Sequence, residues 1–135
     1  MTFMRAFGVT AITMFVLDIA WLGLVAKSLY AREMGTLLRP DIQWVPALLF
    51  YTLYVAAAVV FVVLPAAEQH SFVRAVLLGA FFGLAAYATY DLTSLALIRD
   101  FPLRIAVVDM AWGMVLTAVA SSAGYWAAVT WGAVR

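Results

Sequence analysis

Four long apolar stretches dominate this chain and restrict what it can fold into. A transmembrane helix needs about 20 consecutive, mostly apolar residues. Phe7 to Ala26, Val45 to Ala67, Phe72 to Ile98 and Leu103 to Trp131 all qualify. Charges and breakers mark their ends, among them Arg5, Lys27, the Pro40-Asp41 pair, Glu68, Arg99 and Arg135. Pro46 and Pro102 stand where a helix start tolerates proline, and Asp100 suits the N-cap of the fourth helix. The expected fold is therefore all-α, a single four-transmembrane-helix bundle spanning residues 1–135. Composition agrees. The chain is 67% hydrophobic and 11% charged, whereas soluble domains are roughly 25% charged. A soluble globular domain and a disordered chain are both excluded.

Several site chemistries fall away next. With no cysteine, the chain has no disulfide, thiolate nucleophile or iron–sulfur ligand. A single histidine, His70, argues against zinc, haem and His-built di-iron sites. A net charge of +1 gives no basic surplus for nucleic acid. The first apolar stretch makes a poor signal peptide, because only Arg5 precedes it and Asp18 interrupts it.

The segment from Lys27 to Trp44 is too long for a tight turn. Leu29, Tyr30, Met34, Leu37 and Leu38 alternate there with Lys27, Arg32, Glu33 and Arg39. This pattern predicts a short interfacial helix between the first and second spans. Lys27, Arg32, Arg39, Arg99 and Arg104 fall on the side of the first and third loops, and Arg5, Arg74 and Arg135 on the side of the termini. The positive-inside rule then places the termini outside the cell membrane.

Ionisable residues inside a span are costly and point to function. There are three, Asp18, Asp91 and Asp109. At about 1.5 Å per residue, all three lie roughly 10–13 Å below the side of the first and third loops. Tyr51 and Tyr54, on the second span, lie at about the same depth. Trp21 shares a face with Asp18, Trp112 with Asp109, and Tyr87, Tyr90 and Ser94 with Asp91, by three- and four-residue spacing. The expected arrangement is a pocket rimmed by Asp, Tyr and Trp that opens toward the first-loop side.

Asp18, Asp91 and Asp109 are the candidate acid–base groups, and Trp21, Tyr51, Tyr54, Tyr87, Tyr90, Ser94 and Trp112 the candidate ligand-binding residues. Desolvation and like charge both oppose ionisation of clustered carboxylates, and a protonated Asp serves as a general acid. Aromatic faces hold a cation or stack on an apolar ring. The plainer alternative is that these side chains only hydrogen-bond one helix to another. Oxygen ligands suit Mg²⁺ or Ca²⁺ in charge, but no metal or cofactor is assigned. Trp126 and Trp131 read as interface anchors, His70 as a solvated loop residue, and Gly79-x-x-x-Gly83 as a helix-packing motif.

Val16-Leu17-Asp18-Ile19-Ala20-Trp21 echoes Val107-Val108-Asp109-Met110-Ala111-Trp112. The two helices run in opposite senses, as in the inverted repeats of transporters. At the same residues the chain resembles a known family. The residues that carry the resemblance are Asp18-x-x-Trp21-Leu22-Gly23, then Pro46 with Phe50-Tyr51 and Tyr54. They continue with Gly79-x-x-x-Gly83-Leu84, Tyr87-Ala88-Thr89-Tyr90-Asp91-Leu92-Thr93 and Asp109-x-x-Trp112-Gly113. Nearly the whole chain is similar to the bacterial integral-membrane family catalogued as domain of unknown function 2177. Ser94 departs from the Asn expected there. The resemblance implies a small four-span membrane protein and carries no activity with it.

Three functions remain. The first is binding or acid–base processing of a lipid-like or isoprenoid molecule. The second is a proton-coupled exporter of organic cations acting as a homodimer. The third is an accessory subunit whose polar layer only packs the bundle. Membrane lipids are expected partners in each, and the bacterial inner membrane is the expected location.

Overall fold

In the computed structural model, residues 2–35 and 43–133 are described. Helix α1 (Thr2–Ala20) runs through a π-helical turn at Trp21–Ala26 into the short helix α2 (Lys27–Met34). The second span is α3 (Trp44–Ala58), a π-helical turn (Val59–Val63) and α4 (Leu64–Glu68). Single helices α5 (Phe72–Leu97) and α6 (Leu103–Ala133) form the third and fourth spans. Four helical stretches are long and apolar enough to cross a membrane: Thr2–Leu24, Trp44–Glu68, Phe72–Leu97 and Leu103–Thr130. Each lies within a few residues of its expected bounds. The interfacial helix is present as α2. Leu37, Leu38, Arg39, Pro40, Asp41 and Arg135, and the side chains of Lys27 and Trp131, fall outside what is described.

The helix ends follow local chemistry. Gly35, at φ 53°, closes α2, as a left-handed C-terminal glycine does. Ser71 caps α5, its Oγ accepting from Arg74 N at 3.1 Å. Asp100 does not cap α6. It sits at φ 63° in the turn, and the helix begins at Leu103. Pro102 supplies the first carbonyl instead, accepting from Ala106 N.

Helix α6 is the hub, and small residues make it so. A Cβ on Gly83 would collide with the Gly113 carbonyl oxygen, and one on Gly79 would lie 3.0 Å from Thr117 O. A Cβ on Gly124 would strike Thr10 Oγ1 on α1. Glycines on both helices therefore let α5 and α1 approach the α6 backbone closely. The Gly79-x-x-x-Gly83 motif is thus consumed inside the chain. Met14, Val55, Val59, Val63, Leu116 and Ala120 fill the central core. Around it, Ile12, Leu53, Phe61, Leu77 and Phe81 present apolar surface outward, as a lipid-facing bundle requires.

Candidate functional site

The first half of the second span approaches α1 at few points, and a cleft of about 480 Å³ lies between them. Exposed apolar residues form its mouth: Phe15, Ile19, Leu22, Trp44 and Leu48. Asp18, Asp109, Tyr30, Tyr51, Tyr87, Trp21 and Trp112 line it further in. The mouth therefore faces laterally, toward lipid. Opening toward the first-loop side was expected, but α2 crosses that end, with Leu29, Tyr30 and Met34 packed on Phe101, Ile105 and Ala106.

Two carboxylates organise the polar end. Asp18 accepts from Trp112 Nε1 at 3.1 Å and from the Tyr51 hydroxyl at 3.0 Å. Asp109 accepts from the Tyr30 hydroxyl at 2.8 Å. Arg104, on the first turn of α6, lies exposed, so the bond to Asp109 comes from a phenol rather than a guanidinium. Burial and then the Asp109 carboxylate hold the Tyr30 phenol above its ordinary range. It therefore stays a neutral donor at physiological pH.

The six-residue echo becomes a physical pairing here. Trp21 and Trp112 stack with centroids 4.4 Å apart and planes 7° from parallel. Trp112 donates to Asp18, but the reciprocal bond from Trp21 to Asp109 is absent. Trp21 Nε1 lies beside the Tyr30 hydroxyl and is buried without a well-formed hydrogen bond. Tyr30 takes the place that exact symmetry would give to Trp21.

Asp91 sits behind the cleft, fully buried, with neither carboxylate oxygen hydrogen-bonded. The helix register says what it faces. Gly79 opposes Thr117 and Ser121, Gly83 opposes Gly113, and the Tyr87 ring covers Gly113. One turn further along α5, Asp91 meets the stretch of α6 that ends at Asp109. The two carboxyls lie within reach of a mutual hydrogen bond. A single shared proton would satisfy an oxygen on each.

The remaining candidates divide. Tyr90 lines a second cavity of about 380 Å³ with Phe50, Ala86, Tyr87 and Asp109. Tyr87 and Asp109 therefore stand between the two spaces. Tyr54 is core: 5% exposed and hydrogen-bonded to Thr117 Oγ1 at 2.7 Å. Ser94 is buried on α5 and lines neither cavity. Among the described residues, no group of three or more His, Cys, Asp or Glu is placed to hold a metal ion. Trp126 is half exposed, beside Phe72 and Tyr125. His70 is exposed in its loop.

Tyr30 is the carboxylate-bonded cleft residue that sequence reasoning passes over. Its place in the sequence marks it only as an apolar residue of the short helix, and no spacing rule links it to a carboxylate 79 residues away.

A sequence model of the family described as predicted membrane protein, DUF2177, matches residues 3–126. Comparison with the curated proteins and with the solved structures gives no match. The chain belongs to the DUF2177 family and is a multi-pass membrane protein.

Proposed function

We propose that this DUF2177 member holds a lipid-like amphiphile in the lateral cleft between its first and second spans, in the bacterial inner membrane with both termini outside. One observation carries the reading. The mouth of the cleft is apolar and faces lipid, and its inner end holds two carboxylates among phenols and indoles. A molecule diffusing in the bilayer reaches such a site without leaving the membrane. Its tail rests against Phe15, Ile19 and Leu48, and its polar end meets Asp18 and Asp109. Pockets of about 300–1,000 Å³ with few polar groups suit small-molecule binding.

Acid–base chemistry on the bound molecule is the second reading. It is favoured by Asp91, which is buried without partners and adjacent to Asp109. Such a pair can pass a proton to or from a group seated at Asp109.

Native mass spectrometry of the detergent-purified protein tests the binding claim. Wild type is expected to retain a lipid-like mass. Ile19→Trp, which fills the mouth from a lipid-facing position, is expected to lose it. An empty wild-type bundle, or the same adduct on both proteins, would remove the proposal and return the accessory-subunit reading.

A further inference from the structure

The inner end of the cleft has many acceptors and few donors to spare, and this selects a head group. We infer that the amphiphile carries a protonated primary or secondary amine, an inference that rests on the cleft being an amphiphile site. A carboxylate offers about four acceptor positions. Asp18 uses two, for Tyr51 and Trp112, and Asp109 uses one, for Tyr30. Asp91, buried behind Asp109, uses none. Three of the lining donors are already spent on the carboxylates, the Trp21 N–H is buried, and the Tyr87 hydroxyl is the one lining phenol left over.

Charge points the same way. No Lys, Arg or His appears among the described residues that line the cleft. An anionic head, whether carboxylate or phosphate, would sit beside Asp18 and Asp109 with no counter-charge. An alcohol brings one donor and leaves the negative charge uncompensated. An ammonium brings up to three donors and a positive charge, and its bonds to carboxylate are charge-assisted. The stacked Trp21 and Trp112 indoles at the same end add cation–π attraction.

The test uses four single-chain probes of equal length: dodecylamine, dodecyltrimethylammonium, dodecanol and dodecanoate. Each is titrated into the full-length protein and followed by native mass spectrometry. Dodecylamine is expected to bind at least about tenfold more tightly than dodecanol. Dodecyltrimethylammonium should fall between them, because it keeps the charge but cannot donate. Dodecanoate should not bind. Asp109→Asn should weaken dodecylamine about tenfold and leave dodecanol within about twofold.

Dodecanol or dodecanoate binding as tightly as dodecylamine would overturn the inference. So would trimethylammonium equal to amine, or an amine affinity indifferent to both Asp109→Asn and Asp18→Asn. Dodecanol binding that is lost only in Ile19→Trp would leave the amphiphile cleft standing and remove the amine. No binding by any of the four would remove both.

Discussion

Asp18 and Asp109 occupy matching positions in two similar hexapeptides, yet their surroundings differ by single donors. Tyr51→Phe should cost about 1 kcal/mol, since it removes one hydrogen bond to a carboxylate and leaves Trp112 to hold the other oxygen. Thermal unfolding in detergent measures it. The glycines make a sharper contrast. Gly83→Ala places a methyl on the Gly113 carbonyl oxygen, so α5 and α6 must separate, at roughly 1–3 kcal/mol. Gly8 has nothing within 4 Å of an added Cβ, and Gly8→Ala should be neutral or stabilising by up to about 1 kcal/mol. Equal melting shifts for the two variants would contradict the packing account. At this scale the sequence was informative about which residues matter and less so about what each one touches. Asp18, Trp21, Tyr51 and Trp112 stand together, whereas Tyr54 turns to Thr117 and Ser94 into the helix interface. All of them have the same periodicity, which places a residue on a face but leaves its neighbour open.

The four spans are legible as elements because the bilayer demands long apolar runs, and each run ends at a charge or a proline. Helix α2 is legible because basic and apolar residues alternate along it. The π-helical turns at Trp21–Ala26 and Val59–Val63 have no such signature, since one extra residue per turn changes no composition. They matter nonetheless, because π-turns recur at functional sites. The first begins at Trp21 and leads into α2, whose Tyr30 closes one end of the cleft. Tyr30→Phe keeps the ring packed on the Phe101 cluster but removes the bond to Asp109. Amides of α2 should then exchange hydrogen faster, by up to about tenfold for a lost bond of roughly 1 kcal/mol, while α6 amides stay unchanged. Unaltered exchange in α2 would show that the hydroxyl does not dock it.

Whole-molecule architecture joins these scales. Helical rise alone predicts one depth for Asp18, Asp91 and Asp109, and of the three Asp18 and Asp109 line one cleft. Its lateral opening was not readable, because it depends on how far the second span stands from α1, and no single helix encodes that distance. The Gly79-x-x-x-Gly83 motif is spent on α6, so a second copy of the chain would have to pack on another face. Orientation is open to direct labelling, because the chain has no cysteine of its own. Single cysteines replacing Thr2 and Ser71 should react with an impermeant maleimide in intact cells, and one replacing Asp100 only after permeabilisation. The reverse pattern would invert the topology and place α2 outside.

The cleft between the first and second spans is the centre of the account, and photo-crosslinking in the membrane tests it most directly. An alkyl chain bearing a diazirine, offered on both an amine and an alcohol, is incorporated, irradiated and mapped by peptide mass spectrometry. Labels are expected on the segments holding Phe15, Ile19 and Leu22 and on those holding Ala47, Leu48 and Tyr51, and are expected to be suppressed in Ile19→Trp. Labelling spread evenly over the outer surface, with Val73, Leu77 and Phe81 marked as heavily as Ile19 and Leu48, would mean that the cleft holds no amphiphile.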